Sequence, residues 1–175
     1  MGRRTVKFMM IIDVLNAIKT AINSALPELR RCEVHGGRFD LAELKRVATQ
    51  TPAVFVSLLG TTELSASGTT EKDIELNIAV YIVTSDKVQL PRSESIITLA
   101  QAIMMLIDMN QWVVTGKRGT PKDISSQNLY SGDVDRNGIA MWAISFKQKV
   151  RLGTDIWLDN GVLPSSVYVN GDLVI

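Results

Sequence analysis

The stretch PAVFVSLLGTTELSASGTTEKDIELNIAVYIVT, residues 52–84, decides the fold. After Pro52, Ala53 to Leu59 form a continuous apolar run, the pattern of a strand buried on both faces. Residues 61–72 are polar and read as a connector. A second strand then spans about 73–84. Ile74, Leu76, Ile78, Val80 and Ile82 take one face at period two, while Glu75 and Asn77 begin an opposite face that turns apolar towards Tyr81 and Val83. Two successive strands of this kind make a hairpin. Its loop exceeds the usual two to five residues, so it is expected to project as an arm.

Upstream, Ile11, Val14, Leu15, Ile18, Ile22 and Leu26 recur at helical spacing, with Asp13, Asn16, Lys19 and Asn23 opposite. This predicts a helix over 10–25, ended by Pro27. A short strand at 30–35 leads to Gly36-Gly37. Asp40 then caps a second helix bearing Leu41, Leu44 and Val47, with Glu43 placed for a capping box.

Downstream, a third helix is predicted over 92–109, burying Ile96, Leu99, Ala100, Ile103, Leu106 and Ile107. Trp112-Val113-Val114 reads as a short strand, and another is expected near Ile124–Tyr130. The last long strand covers 139–152. Ala140, Trp142, Ile144, Phe146, Val150 and Leu152 share one face, with Ser145, Lys147, Lys149 and Arg151 opposite. Strands of a dozen residues exceed the common five or six, and the overhang needs a partner. Beyond 152 the pattern breaks into turn signals around isolated apolar residues (Trp157, Leu163, Val167, Tyr168, Val169), predicting short extended pieces with one small hairpin. The expected fold class is therefore α/β (α+β): a mostly antiparallel or mixed four- to five-stranded sheet flanked by about three helices. It carries a long hairpin, with residues 1–152 as one domain and 153–175 as an extended C-terminal tail.

Of 175 residues, 46% are apolar and 21% charged, a globular composition with enough chain for a real core. The 19 basic residues nearly balance the 18 acidic ones, for a net charge of +1, so there is no long-range pull on nucleic acid or on an acidic membrane. Phe8 to Ile12 is too short an apolar run for a secretory core, and Val6 stands where myristoylation wants Ser or Thr. No stretch reaches the length of a membrane span. The expectation is a soluble product that stays where it is made. The single Cys32 excludes an intramolecular disulfide and fits a reducing compartment.

Reaction centres are scarce. Cys32, Glu33 and His35 are close in sequence, but zinc commonly draws on two ligand pairs, and the chain has one cysteine and one histidine. Any nucleophilic triad must use His35, and no serine lies in a Gly-x-Ser-x-Gly elbow. Gly36-Gly37 and Gly116-Lys117-Arg118-Gly119 lack phosphate-loop spacing. Asp133, Asp135 and Asn137 alternate like a calcium loop, yet Ile144 stands where the bidentate Glu belongs. Arg3, Arg4 and Lys7 read as a solubilising terminus. Methionines at helix positions, Met104 and Met105 among them, read as core filling. No catalytic, cofactor-binding or metal-binding residue is assigned. Trp142 is expected in the core, and Trp157 in the irregular tail as an anchor for a neighbouring subunit.

The order of these pieces resembles the Mu-like bacteriophage tail proteins grouped with tail terminators. The matching segments are Ile11 to Ile18, Gly37-Arg38-Phe39-Asp40, Pro52 to Val56, Leu76 to Thr84, Asn110-Gln111-Trp112, Asn128-Leu129-Tyr130 and Gly138 to Gln148, spanning about 10–152. Each motif is short and non-catalytic; their order carries the resemblance. It implies a structural virion protein of the tail's neck end, made in the bacterial cytoplasm. Such a protein caps a contractile tail as a ring, expected to be a hexamer, binding the tail tube protein with sheath and neck proteins as further partners. It implies no enzyme, no cofactor, no membrane and no specific nucleic acid. Expected contacts are Glu63, Leu64 and Ser65 in the arm and Trp157, Leu163 and Tyr168 in the tail. The competing readings are another head–tail joining protein, a small ligand-binding or enzyme domain, and a free-standing adaptor.

Overall fold

The computed structural model describes residues 10–36, 46–47, 50–66, 71–86, 92–108, 110–112, 119–129, 136, 138–153, 168–169 and 172–173. A five-stranded mixed sheet organises them. Its strands are β1 (Arg31–His35), β2 (Ala53–Ala66), β3 (Lys72–Ser85), β4 (Lys122–Asn128) and β5 (Ile139–Leu152), in spatial order β1-β2-β3-β5-β4. Only β1 and β2 run parallel, pairing Arg31 with Ala53 through His35 with Ser57. The other three junctions are antiparallel. Helices α1 (Ile11–Ala25) and α2 (Arg92–Ile107) flank the sheet.

Helix α1 starts where Met10 and Asp13 exchange bonds. The Met10 amide donates to the Asp13 carboxylate at 3.0 Å, and the Asp13 amide donates to the Met10 carbonyl at 2.9 Å. An acidic side chain there also suits the positive end of the helix dipole. The helix buries Val14, Leu15, Ile18 and Ile22, the predicted stripe. Helix α2 buries Ile96, Leu99, Ala100, Ile103 and Ile107. Both helices press on the sheet face formed by Val54, Val56, Leu76, Ile78, Val80, Ile82, Ile144, Phe146 and Val150. A smaller cluster of Val47, Ala53, Phe55, Val83, Ile139 and Met141 lies apart from it. Successive strand side chains alternate between faces, which explains why Phe55 and Val83 join it while Val54 and Ile82 do not.

The sheet, its mixed pairing and the strand faces agree with the sequence reading. The predicted second helix falls mostly outside the described residues; Arg46 and Val47 of it are helical. Its place, between two parallel strands, is where a crossover must run. The tail's expected small hairpin occurs as β6 (Tyr168–Val169) paired antiparallel with β7 (Asp172–Leu173).

Three expectations need correction. Met105, expected as core filling, is 72% exposed. Residues 61–66 are not a connector: β2 continues through them to Ala66 and pairs with β3, so the connection is only 67–71. Polarity on both faces hid the strand, because alternation appears only where one face is buried. The β-branched Thr61 and Thr62 and the partner strand supply the pairing. Trp112, expected in a strand, instead has φ of 53°, in the left-handed region, and is buried. The Asn110 side-chain oxygen accepts its amide at 2.7 Å and stabilises that turn.

Candidate interaction surface

Strand β2 passes through two environments. From Ala53 to Ser57 it is flanked by β1 and β3 and fully buried. Beyond Ser57, β1 has ended, and among the described strands only β3 pairs with residues 58–66. Thr61 to Ser65 are all exposed.

The β2–β3 register slips twice in that half. Leu58 pairs with Ile78 and Gly60 with Asn77, leaving Leu59 as an extra residue; Glu63 pairs with Ile74 and Ser65 with Asp73, leaving Leu64 extra. A bulge inserts one residue, breaks the ladder locally and re-aims a side chain. Both inserted residues are leucines, 48% and 47% exposed. Glu63 is tied to Lys72 across the hairpin at 3.0 Å. The structure thus places Glu63, Leu64 and Ser65 together on a half-paired strand. Trp157 and Leu163 lie outside the described residues, and Tyr168 lies in β6.

At the same end, β3 is clasped to β5. Asp73 accepts two bonds from Arg151, at 2.6 and 2.9 Å, and an ion pair from Lys149 at 2.8 Å. Bonds from Arg151, then Lys149, hold its carboxyl well below the usual carboxylate range. Arg151 also reaches Glu71 at 3.9 Å.

A second polar cluster sits at the opposite end of the sheet. Arg30, Arg31, Glu33, Arg46 and Gln50 line an open cleft of about 530 Å³. Arg31 donates to Glu33 at 2.8 Å and to Gln50 at 3.1 Å, and its guanidinium lies 5.4 Å from the Phe55 ring centre. The bond from Arg31 lowers the Glu33 carboxyl. Glu33 is thereby engaged as an ion-pair partner.

Cys32 and His35, neighbours in sequence, have different surroundings. Burial pushes the Cys32 thiol up to about 11, and the thiol donates to the Lys19 carbonyl at 3.6 Å, the state of an inert sulfur. His35 meets Phe55 edge-on at 5.9 Å. Among the described residues, no three His, Cys, Asp or Glu side chains converge to hold a metal, and no helix is long and apolar enough to cross a membrane. Gly116 to Arg118, Asp133, Asp135, Asn137 and the Arg3–Lys7 segment lie outside the described residues.

One network escaped the sequence reading. Gln148, 1% exposed, accepts from the Trp112 indole at 2.7 Å. Its amide nitrogen donates to the Gly119 carbonyl at 2.9 Å and the Asn110 carbonyl at 3.5 Å. Asn110 donates in turn to Leu106 at the end of α2, at 3.2 Å. A glutamine breaking the apolar face of β5 was the signal available.

The family described as Bacteriophage Mu, Gp37 matches residues 10–150. This chain belongs to that family. Asn110, Trp112 and Gln148, which meet around one buried amide, all lie within the matched residues. No curated protein matches the chain. Among solved structures, a chain of the virion of a native gene transfer agent particle is similar over 79% of this chain and 94% of its own, at 10% identity and a TM-score of 0.48. The sheath/tube terminator of an extracellular contractile injection system, in its extended state, is similar over 97% of this chain and 66% of its own, at 12% identity and a TM-score of 0.44. At such values neither likeness bears on function.

Proposed function

We propose that this Gp37-family chain is a tail terminator: a structural, non-enzymatic virion subunit that caps the tube and sheath of a contractile tail and presents the surface that receives the head. The observation that carries this reading is the family match over residues 10–150, joined to the terminator-like order of its segments. A ring of copies, six by the family expectation, bound to the tail tube protein is the working form. The exposed half of β2 supports it, because a capping subunit needs surface committed to neighbours and the two bulges turn leucines outward there. Glu63, Leu64 and Ser65 are the contacts proposed in that strand, with Trp157, Leu163 and Tyr168 in the C-terminal segment. The mechanism is geometric: the ring covers the last tube layer and replaces it with a new face.

Native mass by light scattering, with and without cognate tail tubes, tests this reading. A ring, preformed or assembled on the tube, is the expected result. A protein that remains monomeric and ignores the tube, or that binds isolated heads instead, overturns it.

A further inference from the structure

We propose that copies of this chain join edge to edge, with the free half of β2, residues 59–65, pairing antiparallel with β4 (Lys122–Asn128) of a second copy. This rests on the ring reading above and adds to it the specific strands that meet.

The sheet offers three open edges among its described strands: β1, which pairs only with β2 and carries the charged Arg31 and Glu33; β4, which pairs only with β5; and β2 beyond Ser57. Exposed edges invite strand addition unless charges, prolines or a covering element block it. Leu58 to Ala66 contains no Lys, Arg or Pro, and its single charge, Glu63, is neutralised by Lys72. The outward leucines of the bulges then lie beside the added strand as apolar anchors. β4 also spans seven residues, the regular part of which is Ser125 to Asn128, because its ladder shifts register between Lys122 and Ser125 and Asp123 has φ of 52°.

Strand direction fits a closed ring. Along the sheet β2, β3, β5 and β4 alternate, so β4 runs opposite to β2. Rotation about an axis that strands follow only with moderate tilt preserves direction, and a neighbour's β4 therefore arrives antiparallel to β2. Two different edges meeting head to tail is the arrangement that generates a ring when the rotation closes.

Register fits as well. Lys122 shares a row with Lys147, Asn77 and Gly60, and Asn128 with Trp142, Ile82 and Val54. An unshifted neighbour would thus collide with β1, which occupies rows 53–57. Reaching 59–65 requires a slide of about five residues, about 17 Å, across four strands covering about 19 Å. That stagger corresponds to a strand tilt of about 40°, inside the range of about 35–45° that closed sheets adopt.

The test pairs Thr62→Cys with Ser125→Cys, and separately with Ser126→Cys, in the full chain with Cys32→Ser. Mild oxidation of the assembled protein should give a ladder of dimers and higher species, while each single-cysteine chain stops at dimers. Amides of 58–66 should also exchange at least tenfold more slowly in the assembly than in the diluted subunit. Assembly at full native mass with no ladder from either pair overturns the edge pairing and leaves the terminator reading standing. Protection already present in the diluted subunit overturns it too, since the chain would then cover its own edge. A chain that never assembles, even on tubes, removes both readings together.

Discussion

Gln148 shows what one residue does in this fold. Its amide satisfies an indole and two carbonyls in a buried site, binding β5 to the end of α2 and to Gly119. Buried polar groups left without partners cost more than the bonds gain. Gln148→Ala strands the Trp112 indole and the Gly119 carbonyl, and should lower stability by about 1–3 kcal/mol in urea unfolding. A change below a few tenths would show that water replaces the amide. The residue was visible in sequence only as an interruption of the apolar face at Phe146 and Val150. Its partners stand more than two dozen positions away in the chain, a distance no local pattern spans. Trp112 misled for a related reason. A bulky aromatic favours strands by propensity, but the Asn110 oxygen and the buried glutamine hold it in a left-handed turn.

At the scale of elements, the buried faces were legible and the exposed ones were not. The stripe of α1 and the period-two faces of β3 and β5 follow directly from apolar spacing. The distal half of β2 has no buried face, so nothing in its spacing marks it, and only the partner strand reveals it. The clasp between β3 and β5 gives this region a pH dependence. Asp73 is depressed in the folded chain by Arg151 and Lys149. A depressed carboxyl contributes stability above its unfolded value of about 3.9, and loses it as pH falls through that value towards the folded one. Unfolding midpoints should therefore drop below about pH 4, and Asp73→Asn should flatten part of that decline. An unchanged slope in the variant would assign acid sensitivity to other carboxylates.

For the whole molecule, length, balanced charge and the scarcity of His and Cys steered the reading towards a binding architecture, and the family match supplied the rest. On the proposed division, residues 153–175 serve contacts between chains. Removing them should leave unfolding of the remaining chain within about 1 kcal/mol of the intact protein. Tube capping, scored by pelleting with tubes, should fall at least tenfold; normal capping would put the contacts elsewhere. The change at Ser57, where β2 passes from two neighbours to one, has a mechanical consequence. A load directed along the strand strains every cross-link to β3 at once, and the array resists as a set. A load lifting the 67–71 end out of the sheet opens the same links one after another, starting at the tip. The hairpin is therefore strong in one direction and weak in another, and a neighbour gripping it transmits axial thrust while yielding to sideways peel.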